Sequence, residues 1–207
     1  MQFAIINDAH IGPAESGFFK GVRRKLVNQA KSILESIIVT LNQTEKPELI
    51  INLGDSIEDV NDRQVDIQSF NQFLSLQVGW LKADLKKTDK PALIFTHYGL
   101  AEDDMKGNFW FETNPHFAMF DNRNGVKKIL KQSGKVIAAF NAHQHWNRMH
   151  VENNIPYFTV TSMTENFNND GVPTKAYTIV NFDKDKIEVT VKGNDPAQWS
   201  YNFSAKT

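Results

Sequence analysis

The chain has no cysteine in its 207 residues. Disulfides and thiolate nucleophiles are therefore excluded, and any metal ion would have to be held by Asp, Glu, His, Asn or water. Nor is there an apolar run near the roughly 20 residues that a membrane-crossing helix needs. Met1 leads straight into the apolar Phe3-Ala4-Ile5-Ile6, with no charged leader and apolar segment of the secretory kind, so a cytoplasmic location is expected. Charge of one sign is also lacking: the formal net charge is −1, which leaves no footprint for nucleic acid or a membrane surface. Internal repeats and low-complexity segments are absent. What remains is 41% hydrophobic and 23% charged residues, the make-up of a globular domain, and the length suits one domain spanning 1–207.

Histidine is scarce as well, with six in the chain, and the placement of four of them is informative. Phe3 to Ile6 is an apolar run followed by Asp8-Ala9-His10. Leu49 to Leu53 is another and ends in Gly54-Asp55; Ala92 to Phe95 ends in Thr96-His97. Val136 to Phe140 ends in Ala142-His143-Gln144-His145. Each run reads as a buried strand, and each carries Asp or His just past its C-terminal end. In open α/β sheets that edge is where sites are built. Carboxylate oxygens beside imidazole nitrogens suit a divalent metal. His116 and His150 follow no such run and read as loop or surface histidines.

Between the runs, Val22, Leu26, Ala30, Ile33, Ile37 and Leu41 recur at helical spacing and predict an amphipathic helix. It ends at Lys46-Pro47, since Pro disfavours helix at the residue before it. The first two strands should then be parallel, joined by a right-handed crossover. A second apolar stripe, Phe70, Leu74, Val78, Leu81 and Leu85, predicts one nearly continuous helix from about Arg63 to Leu85, with a break at Val78-Gly79 as the alternative. That helix would join strand three to the same parallel unit. The stretch 99–122 reads as a long loop rich in aromatics (Phe109, Trp110, Phe111, Phe117, Phe120), ordered enough to wall a cleft. Asn124 is expected to cap a short helix, Gly125 to Gln132. From Tyr157 onward the pattern becomes all-β: Tyr157 to Thr161, Tyr177 to Phe182 and Ile187 to Val191, with a turn at Asp183 to Lys186.

The series Asp8-x-His10, Gly54-Asp55, Thr96-His97-Tyr98 and Ala142-His143-x-His145 resembles the calcineurin-like metallophosphoesterases. From Asn124-Gly125-Val126 through Met163-Thr164-Glu165-Asn166 the chain looks most like their ADP-ribose/CDP-alcohol diphosphatase branch. The resemblance covers about Met1 to Val191. It implies an α/β fold, an αββα sandwich, and two metal ions. Asp8, His10, Asp55 and His145 would hold the first, and Asp55, His97 and His143 the second, with Asp55 bridging. It implies hydrolysis of a phosphodiester, pyrophosphate or phosphomonoester by a metal-bound hydroxide, with a small phosphorylated substrate as the partner. A mixed Asp/His set fits Mn, Fe or Zn better than Ca or Mg.

One motif of the family is absent: the Gly-Asn-His-Asp/Glu block expected between Asp55 and His97. Its Asn is a ligand of the second metal and its His the usual general acid. No Asn-His pair occurs anywhere in the chain, and the stretch 56–96 is short for the family. The fold is therefore expected to be trimmed between the second and third motif strands. The second metal would be the weaker, with Asn61 or Asp59 as substitute ligands. His116 is the candidate for a substitute acid. A trimmed sheet leaves an edge, and pairing with a second copy of the chain is one way to cover it. The alternative function is a catalytically impaired member of the fold that binds metal or a partner without turnover. A metallo-β-lactamase-type hydrolase is disfavoured, because its H-x-H-x-D-H motif is absent.

Overall fold

The computed structural model describes residues 1–10, 18–19, 22–23, 27–55, 81–167, 169 and 171–203. In chain order the elements are β1 (Gln2–Ile6), a short hairpin of β2 (Phe18–Phe19) and β3 (Val22–Arg23), α1 (Val27–Thr40) and β4 (Leu49–Asn52). Helix α2 occupies 81–87 of the described residues, followed by β5 (Ala92–Thr96), α3 (Arg123–Ser133) and β6 (Val136–Asn141). The chain ends in β7 (Arg148–Glu152), β8 (Ile155–Thr159), β9 (Tyr177–Phe182), β10 (Lys186–Lys192) and β11 (Ala197–Asn202).

These strands form two large sheets, one in the order β11-β10-β9-β1-β4 and the other β5-β6-β8-β7. Strand alternation explains how they stack. In β1, Phe3 and Ile5 face a core shared with Ala138, Phe140 and Phe158 of the other sheet, while Ala4 faces the opposite way, onto Ile33, Ile37 and Leu41. In β6, Ala139 points away from the shared core and packs with Leu85, Val126 and Leu130. Helix α1 thus covers the outside of the first sheet, and α2 and α3 cover the outside of the second. The result is an α/β fold of αββα layering, as the resemblance implied. At the centre, Phe95, Phe140 and Phe158 stack across three adjacent strands, with centroids 5.3 and 5.1 Å apart. Phe3 enters from the facing sheet and meets Phe95 and Phe140 edge-on. Offset and edge-to-face geometries are the favourable ones for aromatic rings.

β1 and β4 pair in parallel across α1. Among the described residues, the expected parallel unit with strand three does not form. β5 instead heads the second sheet, parallel to β6. The run 92–95 is apolar on both faces, and there both faces are covered: Leu93 and Phe95 by the core between the sheets, Ile94 by α2 and α3. The continuous helix from Arg63 lies outside the described residues except for 81–87, as do Asn61 and Asp59.

Three expectations are corrected at element ends. Val22 is not helical: it pairs with Phe19 in the short hairpin, and α1 begins at Val27. Asn124 does not cap α3. The helix starts at Arg123, its first bonds run from Val126 N to Asn122 O, and Asn124 lies inside it. The stretch 99–122 is not wholly loop, since Pro115–Ala118 forms a 3₁₀ turn. Besides the short hairpin of β2 and β3, two strands escaped the reading. β7 pairs with β8 around Asn153 and Asn154, both at positive φ, a hairpin turn that asparagine tolerates. β11 adds Trp199 and Tyr201 to the inter-sheet core from an outwardly polar tail.

Candidate metal centre

Past their parallel strands, β1 and β4 continue side by side. Asp8 N donates to Gly54 O and His10 N to Asp55 O, both at 2.9 Å. In the other sheet Ala142 N donates to His97 O at 3.0 Å. The two sheets face each other, so these four strand ends converge on one place. Asp8, His10, Asp55, His143 and His145 all adopt positive φ, between 47° and 63°. Each such residue costs on the order of 1–3 kcal/mol, and clusters of them mark functional sites. Gly54 has φ +112°, and a Cβ there would lie 3.3 Å from His97 Nδ1, so glycine suits both its backbone and the approach of His97.

The six side chains form two triads whose ligand atoms lie within 4.8 Å of one another. Asp8, His10 and His145 form a buried one, and Asp55, His97 and His143 a more open one. Asp55 Oδ2 stands 3.5 Å from His97 Nε2 and 3.9 Å from His10 Nε2, which puts it between the two groups. Among the described residues, Asp8 Oδ1 is buried and accepts no hydrogen bond. The ring nitrogens of His145 and His10 lie 3.4 and 3.9 Å from it.

Three of the histidines have their far nitrogen anchored to an oxygen that can only accept. His145 Nδ1 donates to Glu165 Oε2 at 2.8 Å, His97 Nδ1 to Leu53 O at 3.1 Å, and His143 Nε2 to Phe117 O at 3.0 Å. With the proton held there, the near nitrogen of the neutral ring presents a lone pair to the site. Near nitrogens then face each other: His143 Nδ1 lies 3.2 Å from His97 Nε2, and His10 Nε2 lies 3.4 Å from His145 Nε2. The lone pairs of His97 and His143, opposed at 3.2 Å, need a cation between them, either a proton or a metal ion. The residues therefore fit divalent metal.

Without metal, protons take that place. Burial by itself would lower the His145 pKa, but Asp8 and Glu165 outweigh it and push it up to about 9. Burial and the neighbouring His97 push His143 down to about 4. Burial opposes ionisation of Asp8, yet the His145 imidazolium holds its carboxyl well below the usual carboxylate range. Asp55 is lowered too, with His97 overriding the cost of burial, and His97 is raised in turn by Asp55.

Aromatic residues of 98–120 line this place. Tyr98 and Phe111 lie against the His143 ring, with centroids 4.2 and 5.0 Å away. Trp110 meets His145 at 5.8 Å. Buried Asn108 staples the segment: its Nδ2 donates to Gln144 O, and its Oδ1 accepts from the N–H groups of Trp110 and Phe111. His116 is exposed on the 3₁₀ turn, its ring against Phe117 at 3.9 Å. His150 pairs with Asp103 at 3.0 Å, away from both triads. Sequence reading gave Trp110 only a place in a cleft wall and Glu165 only a place in the Met163-Thr164-Glu165-Asn166 stretch of the resemblance, with no role at the metal ligands for either. Glu165 follows no strand run, and only its hydrogen bond to His145 reveals it.

No family model and no curated protein matches the sequence. Among solved structures, the chain is similar to a dimetal phosphatase from Danio rerio, with a TM-score of 0.73, 11% identity and 98% of each chain covered. It also aligns with a predicted phosphoesterase from Streptococcus pneumoniae (12% identity, 97% of each chain, TM-score 0.49). A zinc-complexed Vps29 from Entamoeba histolytica aligns over 98% of this chain and 99% of that one (10% identity, TM-score 0.47). The chain has the calcineurin-like metallophosphoesterase fold.

Proposed function

We propose that this chain is a metal-dependent phosphoesterase acting on a small phosphodiester, pyrophosphate or phosphomonoester. The observation that carries the reading is the pair of triads, one with the opposed lone pairs of His97 and His143, the other with the unsatisfied buried Asp8 oxygen. Asp8, His10, His145 and the intermediate Asp55 would hold one divalent ion, and Asp55, His97 and His143 a second. Bound Mn, Fe or Zn would supply Lewis acidity and an activated water to the phosphorus.

The chain's own residues do the rest. Asp8 and Asp55 place negative charge against the ions, and three anchored imidazoles keep their lone pairs directed without reorganisation. The buried triad is sealed from water, whereas Asp55 keeps 43% side-chain exposure, so a phosphate ester approaches from the Asp55, His97 and His143 side. Tyr98, Phe111 and Phe117 border that approach. The absent Asn-His block leaves no family acid for the leaving group. His116, on the turn beside Phe117, is the residue to test in that role, and substrates whose leaving group needs no proton are favoured.

The absent block also supports a second reading, in which the fold binds metal or a partner, including a second copy of the chain, without turnover. Hydrolysis of an aryl phosphodiester with added Mn²⁺, with and without chelator, separates the two. Chelator-sensitive release of nitrophenolate, lost in Asp8→Asn, supports the enzyme. No release from metal-loaded protein supports the binding role.

A further inference from the structure

We propose that Glu165 is a positioning residue: it fixes the His145 imidazole for the buried ion and ties that ligand to the aromatic segment through Trp110. The inference rests on the metal-binding reading above. Glu165 is only 2% exposed, yet it is a fully satisfied carboxylate. Its Oε2 accepts from His145 Nδ1 at 2.8 Å and from Trp110 Nε1 at 2.7 Å. Its Oε1 accepts from the backbone N–H groups of Asn166 and Phe167 at 3.0 and 2.7 Å. The backbone beneath is pinned as well, with Glu165 N donating to Ser162 O and Thr174 N donating to Glu165 O.

Four donors therefore hold one carboxylate in a single orientation, and only one of them belongs to a ligand triad. A carboxylate on the far nitrogen of a ligating imidazole sets its tautomer and ring orientation and raises its basicity. The Trp110 bond adds a mechanical link. The Trp110 ring meets Phe167 edge-on at 4.9 Å, and Phe167 stacks on Phe109 at 4.1 Å. The 109–111 stretch and the turn after Glu165 are thereby joined at the carboxylate that orients His145. A purely structural Glu165, serving only as an acceptor for the turn 165–167, would leave metal affinity at the two triads equally affected or unaffected.

The test is calorimetric titration of the metal-stripped full chain with Mn²⁺ alone, for wild type, Glu165→Gln, Glu165→Ala and Trp110→Phe. In Glu165→Gln the tight phase should weaken about 10–100-fold, the usual cost of losing such a partner, with the weak phase unchanged. Glu165→Ala should be weaker still, because the Gln oxygen can accept one of the original bonds. Trp110→Phe keeps the carboxylate and should weaken the same phase by less. An unchanged tight phase in folded Glu165→Gln, or equal weakening of both phases, overturns the proposal. Should Glu165→Gln fail to fold, as judged by circular dichroism, Trp110→Phe decides: an unchanged tight phase there overturns it too. A wild-type protein with no tight phase contradicts the metal reading itself, a failure distinct from that of the Glu165 proposal.

Discussion

The two triads are built of the same residue types but set at different depths. Asp8 and His10 are essentially inaccessible and His145 is 5% exposed, whereas the Asp55 side chain is 43% exposed and that of His97 20%. Depth changes what an absent cation costs. A buried carboxylate facing imidazole lone pairs sits in low dielectric, where an uncompensated charge costs several kcal/mol. At the mouth, water and counter-ions compensate cheaply. The inner triad should therefore grip its ion, and the outer one should exchange it. On the proposed reading, the lack of an Asn-His pair in the sequence acts in the same direction, because that Asn would have served the outer ion.

The largest expected effect concerns the leaving group's proton, since the sequence has no Asn-His pair to supply it. Without the family acid, an alkyl phosphodiester should be hydrolysed about 10²–10⁴-fold more slowly than a nitrophenyl diester, relative to an enzyme with its acid in place. A kcat series against leaving-group pKa measures this, and a flat series would show that an acid such as His116 has been recruited. Next, His145→Ala should weaken the tight ion by more than the 10–100-fold that loss of a supporting partner costs. His97→Ala should leave that phase intact and remove the weak one. Titration of the two variants side by side checks the contrast, and equal losses would erase it.

Stripping the inner ion should also lower stability. At a free metal concentration of 100 times Kd, binding contributes about 2.7 kcal/mol, so chelator should lower the melting temperature and Mn²⁺ restore it. The smallest effect is local. Gly54→Ala must place a side chain at φ +112° and 3.3 Å from His97 Nδ1, a strain on the order of 1–3 kcal/mol. It should weaken the outer phase alone, and a shift in the inner phase would show that the triads are not independent.

Why some of this was legible in the sequence follows from where the residues sit. Asp8, Asp55, His97 and His143 each follow an apolar run, so the strand and its terminal side chain announce one another. The layering came from the family resemblance, and the structure supplies its physical reason: Phe3/Ala4/Ile5 and Ala138/Ala139/Phe140 are apolar on both faces and are covered on both. The crossover to β5 was misplaced because periodicity shows which faces are apolar, not which sheet covers them. Val22 was misassigned because it falls in phase with the α1 stripe, and spacing alone does not mark where a helix begins. Glu165 and Trp110 lie in irregular segments, where no period operates. Only the fold brings residues 55 positions apart to one hydrogen bond.

The contrast between a gripping inner triad and an exchanging outer one is tested most directly by metal content after exhaustive dialysis, followed by titration of the stripped protein. One ion per chain should survive dialysis, and titration should show two phases, with His145→Ala abolishing the tighter. Two ions retained with equal affinity, or none bound at all, would contradict it.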